Sequence, residues 1–542
     1  MKRLVLLFSL ALFLATGATS VYAQQKLTAG DKLKLLDGDD NYLKGYYDAA
    51  FKIYRDIHQR YPDNADLNYK AGRTAYLTGR YNEALTYLTK AVQIEPHVGK
   101  DGELWLGRAQ HINGMFDEAL KNFETYRSTL KGKKATTNIV NEYITQVKVA
   151  SGLMSVPVNV TITNMGPMIN TEYIESNPSV TADGNTFIFT SCRPENTGGQ
   201  IDPELNIYFQ DIWISVRDSI TGKWTEAELL DGEINTKEHD ASLSISPDGS
   251  VIFVYRSVKG GDIYYSRKKK NGDWRTPEPL GGKVNTTFFE TGACMSADKK
   301  TIYFVSEREK KGLGNGDLWM AKKSGRFEYD EAVNLGKPVN SIDDESSVFL
   351  HPDGKTLYFS SNCQYSIGGY DIFKTEYKDG KWTKPVNLGY PINTLGDERH
   401  FVITADGKKA YVTTKREDSV GDLDIYEVDL ENYRVPDIDG TNEGSATISS
   451  GEPVSILRGK VLSATDGETL ESSIIIQDEA GNRIEGIESN ENGEYFVILE
   501  GNKTYNVEFR AKDYKYQTIS VYLPKTSGKT EIVTKAVFLE EE

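Results

Sequence analysis

The stretch Ser347–Asn362, SVFLHPDGKTLYFSSN, decides the fold of the middle of this chain. Its Asp353-Gly354 pair separates two segments in which apolar and polar residues alternate. Such a pair supplies the positive φ angles of a tight turn whose twist matches the flanking strands, so the stretch predicts a β-hairpin. Four other stretches have a similar pattern, and their turn aspartates are Asp183, Asp248, Asp298 and Asp406.

Other residues repeat in register with these turns. A carboxylate stands eight residues before each turn aspartate, and a threonine or serine stands four residues before the carboxylate. Each unit later has an aspartate, an apolar residue and an aromatic residue, as in DIW at Asp211. Units of about four short strands at a spacing of 50 to 65 residues predict the blades of a β-propeller.

A defect in the repeat indicates how the ring closes. The last unit, after Asp424, lacks its fourth strand, and the chain has an orphan copy of that strand upstream, VTITNMGPMINT at Val160–Thr171. We therefore expect five blades over residues 156–435, with the last blade built from both ends of the segment. A closed ring has no free sheet edges. A sixth blade would need a further hairpin, which the sequence does not contain.

The repeated carboxylates predict a ring of charged groups on one face of the propeller, near the mouth of its channel. Arginine recurs after the second strands, which end at the same face, and Asn362 takes this place in the fourth unit. The ring could dock a peptide terminus, a sugar or a cation, or it could fix the loops by pairing inside the blades. We favour the second interpretation, because residues repeated in every blade usually hold the blade, and we expect specificity in the unlike insertions 191–210 and 306–316. The candidate ring consists of Glu175, Asp240, Glu290, Glu345, Glu398, Arg193, Arg256, Arg308 and Arg416.

The segment before the propeller is helical and repetitive. Gly45, Gly79 and Gly114 are 34 and 35 residues apart, each followed by an aromatic residue and then an alanine. This period resembles the tetratricopeptide repeat and predicts an α-helical solenoid over residues 24–155. Gly72 and Gly107 occupy the matching small position of the preceding helices, and residues 131–155 would add a solvated last helix. The resemblance implies a concave side that holds a peptide or a partner helix, although the repeated residues themselves are expected to pack helices.

The ends and the composition set the cellular context. Residues 1–23 combine Lys2 and Arg3 with an apolar run and then small residues, as in a secretory signal peptide, and no second run of spanning length follows. The net charge of -16 argues against nucleic acid as a partner. Three cysteines, Cys192, Cys294 and Cys363, do not make a disulfide framework; one disulfide stays open, and burial as small apolar residues is favoured.

The C-terminal part predicts a second β domain. Residues 436–452 are polar and rich in Gly and Ser, which is typical of a linker. Residues 453–542 alternate apolar and polar residues between Gly, Asn and Asp turns, which predicts a small antiparallel β-sandwich. The segment NGEYFVIL at Asn492–Leu499 resembles the carboxypeptidase-regulatory-like domain.

The order of these parts resembles the multidomain OmpA-family envelope proteins of the Bacteroidetes type, whose propeller is similar to that of TolB. The resemblance implies a periplasmic scaffold that binds envelope or secretion-system proteins, some of its relatives serving type IX secretion. Those proteins continue into a peptidoglycan-binding OmpA-like domain, whereas this sequence stops at AVFLEEE. Anchoring at the cell wall is therefore in doubt, and association with the outer membrane through a partner stays open.

We expect no enzyme activity and assign no catalytic residue, cofactor or metal. The sequence has no Gly-x-Ser-x-Gly elbow, no His-Glu-x-x-His and no Cys-x-x-Cys pair. A metal at His239 and His400 would require blades two and five to converge across the channel. Two alternatives to a scaffold stay open, a propeller that processes glycans or peptides and a lectin-like binding module.

Overall fold

The computed structural model describes residues 26–436 and 453–542, apart from residues 204, 231–232, 258–260 and 326. The predicted signal peptide and almost all of the predicted linker lie outside these residues. The chain forms two compact units, Met1–Asn141 and Glu142–Glu542. The propeller and the sandwich both belong to the second unit. Among the described residues, no helix has the length and apolar character needed to cross a membrane.

The first unit contains helix pairs that stack in sequence order, as the predicted solenoid requires. Thr28 caps the first helix, because its hydroxyl accepts the backbone N–H of Asp31 at 3.1 Å. A short 3₁₀ turn, Val98–Lys100, precedes the fifth helix. The α-helices of this unit are α1 (Ala29–Leu43), α2 (Tyr47–His58), α3 (Ala65–Leu77), α4 (Tyr81–Ile94), α5 (Gly102–Ile112), α6 (Phe116–Thr129) and α7 (Lys133–Thr137). Helix α8 (Val140–Ser155) begins at the end of this unit and belongs almost wholly to the second unit.

Small residues let the two helices of each pair approach closely. A Cβ on Gly72 would lie 2.6 Å from Leu88 Cγ, and a Cβ on Gly107 would lie 2.6 Å from Phe123 Cδ1. The predicted packing role of both glycines is confirmed. Gly38 has the same relation to Tyr54, a third instance that the sequence analysis did not identify.

Helix α8 differs from the prediction of a solvated helix. Val147, Ala150 and Leu153, at helical spacing, are at most 1% exposed. The helix therefore buries an apolar stripe, as amphipathic helices do. In the second unit, Gln146 of α8 donates a hydrogen bond of 2.6 Å to the carbonyl of Gly368 in the propeller.

The predicted five-bladed propeller is confirmed. The first strands of successive blades pack against each other around the central axis, and β19 of blade five packs against β2 of blade one. The strands before the sandwich are β1 (Thr161–Asn164), β2 (Glu175–Val180), β3 (Thr186–Ser191), β4 (Asp211–Val216), β5 (Glu228–Leu229), β6 (Asp240–Ile245), β7 (Val251–Arg256), β8 (Asp262–Arg267), β9 (Glu278–Pro279), β10 (Glu290–Met295), β11 (Thr301–Ser306), β12 (Asp317–Lys322), β13 (Val333–Asn334), β14 (Glu345–Leu350), β15 (Thr356–Ser361), β16 (Asp371–Lys378), β17 (Lys381–Trp382), β18 (Val386–Asn387), β19 (Glu398–Ile403), β20 (Lys409–Thr414) and β21 (Asp424–Asp429).

The ring closes as the missing strand predicted. Strand β1 pairs antiparallel with β21, from Thr161 opposite Asp429 to Asn164 opposite Tyr426. Blade five is therefore β19, β20, β21 and β1, whereas blades one to four each begin with β2, β6, β10 and β14 and continue in chain order. The loops that precede the first strands and those that follow the second strands lie on one side of the ring, which we call the carboxylate face. The hairpin turns lie on the other side, the turn face.

The C-terminal domain is a seven-stranded sandwich of two sheets, in the order β25-β22-β28 and β24-β23-β26-β27. It differs from an antiparallel sandwich in one pair, because β22 and β28 run parallel over their whole length. A buried cluster that includes Leu457, Val507 and Phe509 fills the space between the sheets. The strands are β22 (Ser455–Ser463), β23 (Ser473–Gln477), β24 (Arg483–Glu488), β25 (Glu494–Leu499), β26 (Lys503–Arg510), β27 (Gln517–Leu523) and β28 (Glu531–Leu539).

The sandwich docks on the turn face of the propeller. Val454 and Ile456 pack with Ala182 of blade one and Ala405 of blade five in one apolar cluster. Arg458 donates a hydrogen bond of 2.5 Å to the turn aspartate Asp183. This contact has no local signal in the sequence, because its partners are 275 residues apart along the chain.

Candidate functional site

The five repeated carboxylates start the first strand of each blade and are at most 1% exposed. In blade one, Glu175 accepts hydrogen bonds from the backbone N–H of Thr171 at 2.8 Å, from its hydroxyl at 2.7 Å and from the hydroxyl of Ser191 at 2.8 Å. Blades three, four and five repeat these bonds on Glu290, Glu345 and Glu398. Each carboxylate therefore ties the loop before it to the second strand of its own blade.

The arginines complete this arrangement from within the same blade. Arg256 donates at 2.6 Å to Asp240, Arg193 at 3.2 Å to Glu175, and Arg308 at 3.3 Å to Glu290. These arginines also donate to backbone carbonyls of the loop before the carboxylate, and Arg416 donates there to the carbonyls of Pro391 and Ile392. Each guanidinium thus binds the loop before the carboxylate of its own blade.

Blade four breaks the pattern, and the sequence register of its arginine position was wrong. Glu345 lies opposite Ser361, so the residue equivalent to Arg193 and Arg308 is Cys363 rather than Asn362. Asn362 has another contact, since its side-chain oxygen accepts the backbone N–H of Asp344 at 2.9 Å. With Cys363 at the place of the arginine, burial raises the pKa of Glu345 to about 8.

A second ring of carboxylates lies at the seams between blades. An aspartate starts the third strand of each blade. The residue before it accepts, through its carbonyl, the backbone N–H of the ring acid in the next blade. In blade one this residue is Gln210, which accepts the N–H of Asp240 at 2.9 Å. Asp371 binds the N–H of Ile367 and the side chain of Asn387, both at 2.6 Å, and so holds the loop after the second strand. Burial raises the pKa of Asp211 to about 7 and that of Asp371 well above its usual range.

The turn end of the central axis is closed by side chains. The last residues of the five first strands converge there and leave a cavity of about 10 Å³, the lower limit for a single water. They are Val180, Ile245, Met295, Leu350 and Ile403. A larger polar cleft of about 970 Å³ lies between the sandwich and blades two to four. Ion pairs cross this region, among them Arg275 to Glu491 at 2.7 Å and Lys300 to Glu485.

The two histidines considered for a metal site do not meet. His239 accepts the N–H of Gln210 at 3.2 Å through Nδ1, and its Nε2 lies 3.0 Å from Asp202 in the blade-one insertion. His400 is half-buried in blade five, and desolvation of its ring, assisted by the charge of Arg399, lowers its pKa to about 3. Within the described residues, no group of three or more His, Cys, Asp or Glu side chains is placed to hold a metal ion. All three cysteines are free and buried.

The first unit has a site that the sequence analysis missed. Arg73 lies between aromatic rings of three successive first helices, 4.8 Å from the ring centre of Tyr42, 5.0 Å from Tyr69 and 5.0 Å from Trp105. Arg108 lies 4.5 Å from Tyr76 and 4.6 Å from Trp105. We call the set Tyr42, Tyr69, Arg73, Tyr76, Trp105 and Arg108 the solenoid ladder. Most of its members are half-buried and so form a surface on α1, α3 and α5.

This surface had a sequence signal of its own, in residues other than those that defined the repeat. The defining glycine, alanine and proline recur in and around the second helices. The ladder lies on the first helices, where Tyr42 and Tyr76 are separated by 34 residues, the period of the repeat.

Comparison with known proteins supports the solenoid. Residues 43–110 match the tetratricopeptide repeat family. No curated protein matches the chain.

Three solved structures show the range of likeness. The type III secretion translocator chaperone SycD of Yersinia enterocolitica is 12% identical over 23% of this chain and 89% of its own, with a TM-score of 0.21. TolB of Acinetobacter baumannii is 13% identical over 58% of this chain and 70% of its own, with a TM-score of 0.29. The α-L-arabinofuranosidase of Lactobacillus brevis is 13% identical over 53% of this chain and 96% of its own, with a TM-score of 0.35.

Proposed function

We propose that this protein is a non-enzymatic scaffold of the bacterial cell envelope that binds protein partners through the solenoid and the carboxylate face. Tetratricopeptide repeats generally mediate contacts between proteins, and residues 43–110 match that family. We further propose that the protein acts in the periplasm, associated with the outer membrane through a partner, in type IX secretion or outer-membrane assembly. This location and this role follow from the order of the domains, which resembles OmpA-family envelope proteins.

The solenoid ladder is the observation that carries the proposal. Arg and aromatic side chains dominate the energetics of protein interfaces, because they bring large contact area and directional hydrogen bonds. Here the cations are already stacked on rings and hydrogen-bonded, as Arg73 is to the hydroxyl of Tyr69 at 2.6 Å. Side chains fixed in this way lose little entropy when a partner binds.

The propeller favours binding over glycan processing. A glycosidase needs two accessible carboxyl groups on either side of the scissile bond. The ring carboxylates instead accept hydrogen bonds from their own blades and are at most 1% exposed.

The test is recovery of partners from gently solubilised envelope by the tagged mature protein, with identification by mass spectrometry. The test variant is Arg108→Glu, on the ladder. The matched control is Arg127→Glu on α6, where the side chain pairs with Glu124 on the surface at 2.6 Å. We expect envelope or secretion proteins with the wild type and the control, and their loss with Arg108→Glu. Equal recovery with both variants would remove the ladder as the contact, and recovery of nothing would contradict the scaffold.

A further inference from the structure

The carboxylate face carries most of the exposed apolar surface of the propeller. Among the described residues from Thr161 to Asp429, thirteen large apolar side chains are exposed, and nine of them lie in loops of this face. Scattered single exposed apolar residues need no explanation, but concentration on one face indicates an interaction surface. The nine residues are Met168, Ile201, Leu205, Phe288, Phe289, Leu313, Ile342, Tyr365 and Val420.

Some of these side chains form one patch across blades three and four. Phe288 and Phe289 are 38% and 47% exposed, and the carbonyl of Phe289 accepts the N–H of Glu307 at 3.0 Å. The loop of Leu313 touches the loop of Ile342, since a Cβ on the next residue, Gly314, would overlap the carbonyl of Asp343. We call Phe288, Phe289, Glu307, Leu313, Ile342 and Asp343 the blade-three/four patch.

The acids of the patch lack an ion-pair partner among the residues that the structure describes. Within the described part of the chain, no lysine or arginine forms an ion pair with Glu307, Asp343 or the adjacent Asp344. Burial, and then the charge of Asp344, raise the pKa of both Glu307 and Asp343. Lys310 and Lys311 of the same insertion are exposed, and within the described residues neither pairs with these acids. The patch therefore combines uncovered apolar surface with a local excess of negative charge that a cation would relieve.

Helix α8 shows that this side of the propeller accepts a docked segment. Its Gln146 binds the carbonyl of Gly368 in blade four, and its Glu142 lies close enough to Asp343 for the two charges to interact. Glu142 adds negative charge to the patch instead of neutralising it.

We propose that the blade-three/four patch binds a segment of a partner protein in which lysine or arginine alternates with large apolar residues. The apolar side chains would cover Phe288, Phe289, Leu313 and Ile342, and the cations would pair with Glu307 and Asp343. This inference rests on the proposed scaffold function and names the kind of partner that the propeller face takes.

The probe is a short fluorescein-labelled peptide of alternating lysine and leucine, titrated with the full-length protein at fixed ionic strength and followed by fluorescence anisotropy. One double variant, Glu307→Gln/Asp343→Asn, removes two charges from the patch. Its control, Glu541→Gln/Glu542→Gln, removes two charges from the exposed C-terminal end of the sandwich. We expect the patch variant to weaken binding about tenfold and the control less than about twofold, because local pairs outweigh the screened field of distant charges.

The apolar half of the patch has its own pair of variants. Phe288→Ser should weaken binding several-fold, whereas Ile220→Ser on the opposite face, where the side chain is 93% exposed, should not. Equal losses in the two charge variants would mean attraction by net charge and would overturn the proposal, as would binding that Phe288→Ser leaves unchanged. Sedimentation that shows a wild-type dimer and a monomeric Phe288→Ser variant would identify a second copy as the occupant and would also overturn it.

The peptide titration does not involve the solenoid. If the peptide does not bind but envelope partners are still lost with Arg108→Glu, the patch proposal is rejected and the scaffold proposal is kept. If the peptide binds but no partner is recovered from the envelope, the patch proposal is kept and the scaffold proposal is rejected.

Discussion

Replacing Glu345 by glutamine should stabilise the propeller at neutral and alkaline pH. Glu345 is 1% exposed, and its position in blade four has Cys363 where three other blades have arginine. Burial raises the pKa of Glu345 to about 8, so the folded protein holds a proton there that the unfolded chain releases above its usual value of 4.5. The folded state therefore binds more protons between these two values, and stability falls as the pH rises through this window.

The size of the effect follows from the width of the window. One pH unit within it corresponds to about 1.4 kcal/mol, so the wild type should lose about 2 kcal/mol between pH 6 and pH 8 through this group. Glutamine cannot ionise and has the shape of the protonated acid. Its carbonyl can accept the backbone N–H of Ser341, now bonded at 3.2 Å, and its amide can donate to the hydroxyls of Ser341 and Ser361, which rotate to accept.

The assay is denaturant unfolding followed by tryptophan fluorescence at several pH values. Five of the six tryptophans, all but Trp105, lie in the propeller, so the signal reports on this domain. The control is Glu290→Gln in blade three, which leaves Arg308 without its charge partner and should cost about 3 kcal/mol. A Glu345→Gln variant that unfolds with the same pH slope as the wild type, or is destabilised like the control, would refute the reasoning.

Three other outcomes test other parts of the fold. His400→Asn should stabilise the protein by about 2 kcal/mol at pH 5 in the same assay. The lowered pKa of His400 means that the wild type loses stability as the pH falls below 6.5. Asparagine suits the position, because Asn177 holds the same left-handed bulge in blade one with a φ of 53°. Ile456→Asp should detach the sandwich and speed amide hydrogen exchange in the blade-one turn beneath it, whereas Phe538→Asp, 53% exposed on the same sheet, should not. Gly107→Val should lower the free energy of unfolding of the solenoid by about 2 kcal/mol or more, because a side chain there overlaps Phe123. The measurement is the melting temperature of the circular dichroism signal at helical wavelengths, since most of the described helices belong to the solenoid.

The sequence determined the propeller well because its evidence was local and repeated. Each turn aspartate and carboxylate lies within one hairpin, so a fixed offset along the chain translates into a fixed position in space. The orphan strand at Val160 could be assigned to blade five for the same reason, as a missing member of a regular set.

The errors arose where a contact depended on something other than the repeat. Asn362 is the exception, because the repeat itself places Cys363 at the arginine position: Cys363 follows Glu345 by 18 residues, as Arg193 follows Glu175, and β-pairing agrees. The parallel pairing of β28 joins the two ends of the sandwich, and alternation of apolar residues carries no information on strand direction. The docking of Arg458 on Asp183 joins two domains and has no local signature.

The same comparison of blades indicates where specificity resides. The hydroxyl of Thr286 accepts the N–H of Phe288 at 3.1 Å, and the hydroxyl of Ser341 accepts the N–H of Asp343 at 3.0 Å, so the two loops have the same turn before the buried carboxylate. The repeated residues fix the backbone of each loop, and the side chains at the two positions directly before the carboxylate do not make these repeated bonds. Blade three fills them with Phe288 and Phe289, and blade four fills them with two aspartates. Two blades with the same loop backbone can thus present an apolar pair and an acidic pair at equivalent positions. A partner that binds both pairs would need apolar and cationic side chains in the complementary order.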